Sequence, residues 1–152
     1  MRLQCINSRR RRIEQLAIAL SAVILVACAV TFISSYDETT DKGITALQKS
    51  VEGLMNQLNH DPVPDYAAMK KNYDAIRSDL SSLRLRNEAR PKNTLTVRQL
   101  DELKAELDKL ENMHRDKTLN KAMVEPARAI LDQAFLAILK LELEKKELDK
   151  KE

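Results

Sequence analysis

Glycine, tryptophan and cysteine are scarce in this sequence: its 152 residues contain two glycines, two cysteines and no tryptophan. Gly-rich phosphate loops, tight β-hairpins and doubly wound nucleotide-binding folds need a positive φ angle at several positions, which glycine supplies. A chain with two glycines is therefore a poor candidate for any of these folds. Both cysteines, Cys5 and Cys28, precede the greater part of the chain. The part after Cys28 must hold together through its core alone, without disulfides.

Strand signals and catalytic motifs are missing as well. The sequence has no β-branched runs, no Asn-Gly turns and no period-two alternation. It also contains no His-Glu-x-x-His, Cys-x-x-Cys or Gly-x-Ser-x-Gly motif. His60 and His114 stand beside acids, but a metal site needs a further ligand, so we expect both to be exposed loop histidines. We predict no cofactor, no metal and no enzymatic activity.

The net charge of +3 is distributed unevenly along the chain. Residues 1–12 contain five arginines and no acid, whereas residues 36–152 contain 21 Lys+Arg and 22 Asp+Glu. The basic excess belongs to the N-terminal segment, and the rest of the chain is nearly neutral. We therefore predict no nucleic-acid partner.

An uncharged run of 18 residues, Leu16–Ile33, follows the arginines. A helix of this length spans roughly 27 Å, about the thickness of the hydrocarbon core of a bilayer. Arginines before such a run stay in the cytoplasm, so the residues after it are expected to be exported. The run is either a signal anchor that extends to about residue 34 or part of a signal peptide that is removed.

A short motif within this run favours removal. Leu25-Val26-Ala27-Cys28 resembles the lipobox of bacterial lipoproteins, which implies cleavage before Cys28 and a lipid anchor on its sulfur. The resemblance divides the chain into a signal peptide (1–27), a lipidated cysteine with a polar spacer (28–41) and a helical bundle (42–152). Ala29 resembles the residue that follows the cysteine in lipoproteins sorted to the outer membrane. The apolar residues that continue to Ile33 keep the uncleaved, single-pass inner-membrane anchor open as the alternative.

The exported part has the apolar periodicity of amphipathic helices. Four segments show it, and prolines interrupt the first two. We predict helices over Ile44–Leu58, over Met69–Leu83, from Thr96 to Met113, and from about Glu125 onward.

Several details of these helices are also predicted. Thr96 and Gln99 have the spacing of a capping box at the start of the third helix. Pro126 predicts that the last helix starts at about Glu125 or is kinked after a preliminary turn. Residues 142–152 are expected to form a solvated, fraying end with i,i+4 pairs, Glu142 with Lys146 and Glu147 with Lys151.

These segments predict an all-α fold, an up-and-down antiparallel bundle of three to four helices after the N-terminal membrane-targeting segment. An extended coiled coil is the alternative, because the first two segments follow heptad spacing. Pro62, Pro64 and Pro91 interrupt that spacing too early to favour a rod.

A group of cations is the most unusual polar feature: Arg84, Arg86, Arg90 and Lys92 stand at the end of the second predicted helix. Cations there interact favourably with the helix dipole, which is a sufficient explanation for them. The functional interpretation is a contact with an anionic partner: phospholipid headgroups, lipopolysaccharide phosphates or an acidic protein surface.

Longer stretches are similar to an uncharacterised family of small bacterial helical lipoproteins. They are Phe32–Lys42, which contains Ser-Ser-Tyr-Asp-x-x-Thr-Asp-Lys, together with Thr45–Gln48, Leu83–Arg90 and Ala137–Leu143. The similarity implies a lipoprotein and contributes no activity.

Three functions stay open. The first is a structural or interaction lipoprotein of the cell envelope, held in the periplasm by its lipid and contacting an envelope protein. The second is a bitopic inner-membrane protein that binds a partner, similar in layout to the inner-membrane component of a phage spanin pair. The third is a ligand-sensing or enzymatic bundle, which a polar pocket between helices would support and an apolar-filled core would count against.

Overall fold

The computed structural model describes residues 33–151, which contain four α-helices and no strand. The predicted signal peptide, the lipobox-like motif and Cys28 lie outside the described residues. The helices are α1 (Glu38–Leu58), α2 (Tyr66–Glu88), α3 (Thr94–Arg115) and α4 (Lys121–Asp149).

The helices form the predicted bundle. Each helix packs against its neighbours in sequence, and α1 also packs against α4, which closes the ring. Consecutive helices are joined by residues 59–65, 89–93 and 116–120. Loops this short bring consecutive helices side by side in opposite directions. The all-α, up-and-down bundle predicted from the sequence is thus confirmed.

The core consists of the apolar positions that the periodicity selects. In α1 the buried positions include Ile44, Leu47, Val51, Leu54 and Leu58, the set predicted from the sequence. The other helices bury their predicted stripes against it, among them Ile76 and Leu80 of α2, Leu100 and Leu103 of α3, and Phe135 and Ile138 of α4. Truncating a fully buried leucine in such a core costs about 2–5 kcal/mol.

The start of α1 differs from the expectation. α1 begins at Glu38, so the polar spacer expected up to Asp41 is shorter than predicted. Asp37 is its N-cap, and one of its carboxylate oxygens accepts from the Thr40 amide at 2.9 Å and from the Thr40 hydroxyl at 2.6 Å. Ser34 is also buried, so the segment before α1 is packed on the bundle.

The capping box predicted at Thr96 is wrong. α3 begins two residues earlier, at Thr94, after Asn93. The Thr96 hydroxyl is fully buried and donates to the Glu142 carboxylate at 3.0 Å instead of accepting from a helix-end amide. The Thr96 hydroxyl therefore bonds to Glu142 of α4 and does not cap α3.

The last helix begins at Lys121 and continues through Pro126. A start at about Glu125 is therefore wrong, and the turn before Pro126 agrees with the alternative of a preliminary turn ahead of the proline. The expected fraying end is wrong, because the helix extends to Asp149 and Glu142 and Lys145 are buried. The pair expected between Glu142 and Lys146 is replaced by Glu142 with Lys145, and Glu147 pairs with Lys150 instead of Lys151.

No helix between residues 33 and 151 is both long enough and apolar enough to cross a membrane.

Candidate functional site

The interior of the bundle contains a group of polar side chains at each end. The Lys145 cluster consists of Ser34, Asn93, Thr96, Glu142 and Lys145, at the end where α1 starts and α4 finishes. The His114 cluster lies at the opposite end and consists of the buried Tyr73, Glu111 and His114, with the half-buried Tyr66 and the exposed Arg77 bound to Glu111. Apolar side chains fill the core between them.

Lys145 is the centre of the first cluster. Its ammonium donates three hydrogen bonds, to Asn93 Oδ1 at 2.8 Å, to Thr96 Oγ1 at 2.7 Å and to Glu142 Oε1 at 2.6 Å. The side chains of Lys145 and Glu142 are 2% and 0% exposed, so the ion pair is out of contact with solvent. Three donors and three acceptors satisfy the ammonium completely. Glu142 Oε2 is buried and has no hydrogen-bond partner among the described residues.

Asn93 connects this ion pair to the segment before α1. Its Oδ1 also accepts from the Ser34 hydroxyl at 2.7 Å, and its Nδ2 donates to Asn87 Oδ1 at 2.7 Å. Asn87 Oδ1 in turn accepts from the Thr40 hydroxyl at 3.1 Å. A continuous chain of hydrogen bonds thus joins the start of α1, the end of α2, the start of α3 and the end of α4.

Asp37 continues this network toward the surface. Burial alone would raise the pKa of the Asp37 carboxyl, but the hydrogen bonds from Thr40 and from the Arg86 guanidinium lower that pKa below its usual range. Its N-cap position at α1 also places the charge where a helix dipole favours an anion.

His114 lies in the middle of the second cluster, and the prediction that it is an exposed loop histidine is wrong. It belongs to the last turn of α3 and is 4% exposed. Nε2 donates to the Pro64 carbonyl at 2.6 Å, and Nδ1 accepts from the Tyr73 hydroxyl at 3.1 Å. Both ring nitrogens are therefore engaged within the chain. His60, by contrast, is exposed as expected.

Two tyrosines surround the His114 ring. The ring centres of Tyr66 and Tyr73 lie 5.7 Å from that of His114, and Tyr66 meets the imidazole edge-on. Burial raises the pKa of the Tyr73 hydroxyl well above its usual range. Tyr66 donates to Glu111 at 2.8 Å, and Glu111 also pairs with Arg77. The polar groups of the cluster are thus bonded mainly to one another.

Within residues 33–151 no three His, Cys, Asp or Glu side chains lie in an arrangement that could hold a metal ion.

The four cations singled out in the sequence have different surroundings. Arg84 pairs with Asp101 at 2.5 Å and with Glu88 at 2.7 Å, and hydrogen bonding to these acids raises the pKa of its guanidinium. Arg86 lies 3.4 Å from an Asp37 oxygen.

The other two lie in the loop between α2 and α3. Arg90 donates to the Ser35 carbonyl at 2.8 Å and lies 3.9 Å from Asp37. Lys92 is exposed, has a φ angle of 60°, and is in no ion pair among the described residues. Each of the three arginines therefore contacts carboxylates or a carbonyl of the chain itself. Lys92 is the one of the four cations without such a partner among the described residues.

A largely apolar groove lies between α3 and α4. It has a volume of about 260 Å³ and is open to solvent. Met123 and Ile130 are 42% and 46% exposed along it. Its other apolar walls are Leu110, Met113, Pro126, Ala127 and Leu131.

Sequence reasoning missed Glu142 and Lys145, although a signal for them existed. The buried positions of α4 include Leu131, Phe135, Ile138, Glu142 and Lys145, with spacings of four, three, four and three. The two charged residues occupy core positions of the helical repeat. Continuing the repeat past Ile138 places Glu142 and Lys145 inside.

No protein-family model, curated protein or solved structure matches this chain.

Proposed function

We propose that this chain is a membrane-anchored helical protein of the bacterial cell envelope with a structural or protein-interaction role. The observation that carries the interaction role is the solvent-open apolar groove between α3 and α4. Exposed apolar surface in a concave site is typical of partner binding. Apolar side chains fill the core of residues 33–151 between the two polar clusters, and the more polar concave surface beside His114, about 310 Å³ in volume, lies open to solvent at the end of the bundle. The proposal includes neither catalysis nor a cofactor.

The anchor in this proposal is a lipid on Cys28. The arginines at 9–12, the uncharged run Leu16–Ile33 and the lipobox-like Leu25–Cys28 support it. A multi-chain lipid anchor holds a protein stably on a membrane, whereas a single acyl chain does not. Ala29 favours the periplasmic face of the outer membrane over the inner membrane.

Labelled palmitate and the intact mass of the mature protein test the anchor. We expect palmitate incorporation and the loss of residues 1–27, and we expect Cys28→Ala to abolish both. Cys5→Ala is the matched control, because this cysteine lies in the part that is removed, and it should change neither. Incorporation that persists in Cys28→Ala would refute the lipid anchor.

The second candidate is a bitopic inner-membrane protein whose exported helices bind a partner, as in a spanin pair. The apolar residues between Cys28 and Ser34 favour it, because they extend the run to the length of a transmembrane helix. A mature mass that retains residues 1–27 supports this candidate and excludes the lipoprotein.

Photo-crosslinking in cells tests the interaction role. A photoreactive residue at Ile130, in the groove, should give a discrete adduct with an envelope protein. The same residue at Leu136 is the control, because Leu136 is 50% exposed on α4 and is not part of the groove. Introducing a charge at Met123 should remove the adduct from position 130. An equal pattern of adducts at the two positions would contradict the assignment of the groove.

A further inference from the structure

We propose that the end of the bundle where α1 starts, α2 ends, α3 starts and α4 ends rests on the anionic headgroups of the membrane. We call it the basal end and define it as residues 34–37, 84–95 and 143–151. This inference rests on the proposed function, because it takes a membrane anchor in residues 1–33 as given. It adds an orientation and a lipid-binding surface, which the anchor alone does not imply.

Only a short stretch of chain separates the proposed anchor from the bundle. Ser34 directly follows the uncharged run, and it is buried and doubly held. Its amide donates to the Lys92 carbonyl at 3.0 Å, and its hydroxyl donates to Asn93 Oδ1 at 2.7 Å. From a lipid on Cys28 the five intervening residues reach at most roughly 20 Å, even when fully extended. From a transmembrane helix that ends at Ile33 the tether is a single peptide bond.

The loops at the two ends of the bundle carry opposite charge. The basal loop 89–93 contains Arg90 and Lys92 and no acid, whereas the two loops at the opposite end, 59–65 and 116–120, together contain three aspartates and one lysine. Positive residues near an anionic leaflet gain roughly 1 kcal/mol each, about a fivefold gain in affinity per cation. The basal end is therefore the end that an anionic surface attracts.

Further cations at the basal end lie free of carboxylates. Among the described residues Lys146 and Lys151 are in no ion pair, and Lys146 stands 5.0 Å from the ring centre of Tyr36. The basal acids are mostly engaged within the chain. Asp37 binds Thr40 and faces two arginines, Glu88 pairs with Arg84, Glu147 pairs with Lys150, and Asp149 accepts from the Tyr36 amide.

Exposed leucines accompany these cations. The basal end includes four such residues: Leu85, Leu95, Leu143 and Leu148 are 67%, 46%, 55% and 53% exposed. At the opposite end the comparably exposed residue of the described chain is Met123, which belongs to the groove. Leucines beside lysines and arginines are the composition of surfaces that sit at the boundary of headgroups and acyl chains.

The orientation is tested with the full chain reconstituted in lipid vesicles. In a Cys5→Ser background a fluorophore is placed on Ala89→Cys or on Asp116→Cys, the exposed C-cap positions of α2 and α3 at opposite ends of the bundle. The vesicles carry a spin label on the lipid headgroup, and parent protein without an introduced cysteine gives the background. The two positions are separated by about 30 Å, the length of a 21-residue helix.

We expect severalfold stronger quenching at position 89 than at position 116. Adding one-third phosphatidylglycerol to phosphatidylcholine vesicles should increase the quenching at position 89. Lys92→Glu should remove this increase, whereas Lys117→Glu should not. The two lysines form a matched pair, since both are exposed with φ angles of 60° and 57°, at opposite ends of the bundle.

Flotation of the vesicles after a carbonate wash separates the two ways to fail. Protein that does not float refutes the anchor, and with it the proposed function. Protein that floats but is quenched equally at positions 89 and 116 overturns the orientation. Stronger quenching at position 89 that is indifferent to phosphatidylglycerol and to Lys92→Glu overturns the recognition of anionic headgroups.

Discussion

Two lysine–glutamate pairs in α4 have the same spacing and differ in burial. Lys145 lies 2.6 Å from Glu142 with side chains that are 2% and 0% exposed. Lys150 lies 2.7 Å from Glu147 with side chains that are 60% and 63% exposed. Solvent screens the second pair, and its contribution is at most about 1 kcal/mol. The first pair has lost its hydration and depends on its hydrogen bonds to Asn93 and Thr96.

Lys145→Met is expected to lower the free energy of unfolding by about 3–5 kcal/mol, because it leaves the Glu142 carboxylate buried without its cation. Urea denaturation of the full chain in detergent micelles measures the loss. Lys150→Met is the matched control and should change the stability by less than about 1 kcal/mol. The double variant Glu142→Leu/Lys145→Met should be more stable than Lys145→Met alone. Equal losses for Lys145→Met and Lys150→Met would contradict the solvent-free environment of the first pair.

Tyr36 shows how a single hydrogen bond sets a titration. Its hydroxyl donates to Asp41 Oδ2 at 2.7 Å, and this bond, with burial and the Asp41 charge, raises the pKa of Tyr36 to about 12. The folded chain therefore keeps the proton at a pH where the unfolded chain, with a tyrosine pKa of about 10, loses it. The stabilisation is complete below about pH 10 and is lost as the pH rises toward 12.

Asp41→Asn should move the pKa of Tyr36 down toward about 10, since the charge that opposes phenolate formation is gone. The absorbance of phenolate as a function of pH measures the change, and Tyr36→Phe identifies the signal. Glu38→Gln is the control, because Glu38 is a smaller cause of the shift. A larger fall of the pKa in Glu38→Gln than in Asp41→Asn would disprove the role of the hydrogen bond.

The helices show which parts of a fold a sequence can predict. The buried stripe of α1 follows from periodicity alone, because its buried positions between Ile44 and Leu58 are all apolar. The start of α3 does not follow, because the Thr96 hydroxyl has two competing partners, a local amide and the distant Glu142. The Lys145 cluster could not be predicted from the sequence for the same reason. Polar residues of α3 and α4 are distant in sequence, and only packing shows that they meet.

The two glycines of the chain are a matched pair within α1. Gly53 has open space around the position of a Cβ, whereas a Cβ on Gly43 would lie 2.9 Å from Leu83 Cδ1 of α2. Gly53→Ala should raise the free energy of unfolding by about 1 kcal/mol, because alanine favours a helix interior. In Gly43→Ala the displaced leucine offsets that gain, so the stability should stay equal or fall by about 1 kcal/mol. Thermal unfolding measures both, and an equal gain at the two positions would contradict the close approach of α1 and α2.

The two polar clusters connect different parts of the bundle. At the basal end hydrogen bonds join all four helices to the segment that leads to the N-terminal residues. At the opposite end His114, Tyr73 and the Pro64 carbonyl join α3 to α2 and to the loop before it. A pull on residue 34 is therefore transmitted to α3 and α4 through side chains as well as along the chain to α1.

Asn93→Ala should loosen the segment before α1, which the backbone bond from Ser34 to Lys92 and the Arg90–Ser35 contact continue to hold on the bundle. The substitution removes four hydrogen bonds: two accepted by Oδ1, from Ser34 and Lys145, and two donated by Nδ2 to Asn87. Buried groups that lose their partners cost about 1–3 kcal/mol each, so a loss of at least about 2 kcal/mol in stability is expected. Hydrogen exchange should accelerate at the Ser34 amide and in the first turn of α1, while the C-terminal half of α1 keeps its protection.

Asn59→Ala provides the comparison at the other end of the bundle. Asn59 follows α1 and donates to Glu125 at 3.1 Å, but this bond is exposed. Its loss should cost less than about 0.5 kcal/mol, and exchange at residues 34–40 should be unchanged. Equal acceleration of exchange at residue 34 in Asn93→Ala and Asn59→Ala would show that the Asn93 side chain does not hold this segment. The side-chain network would then not couple Ser34 to Lys145 of α4.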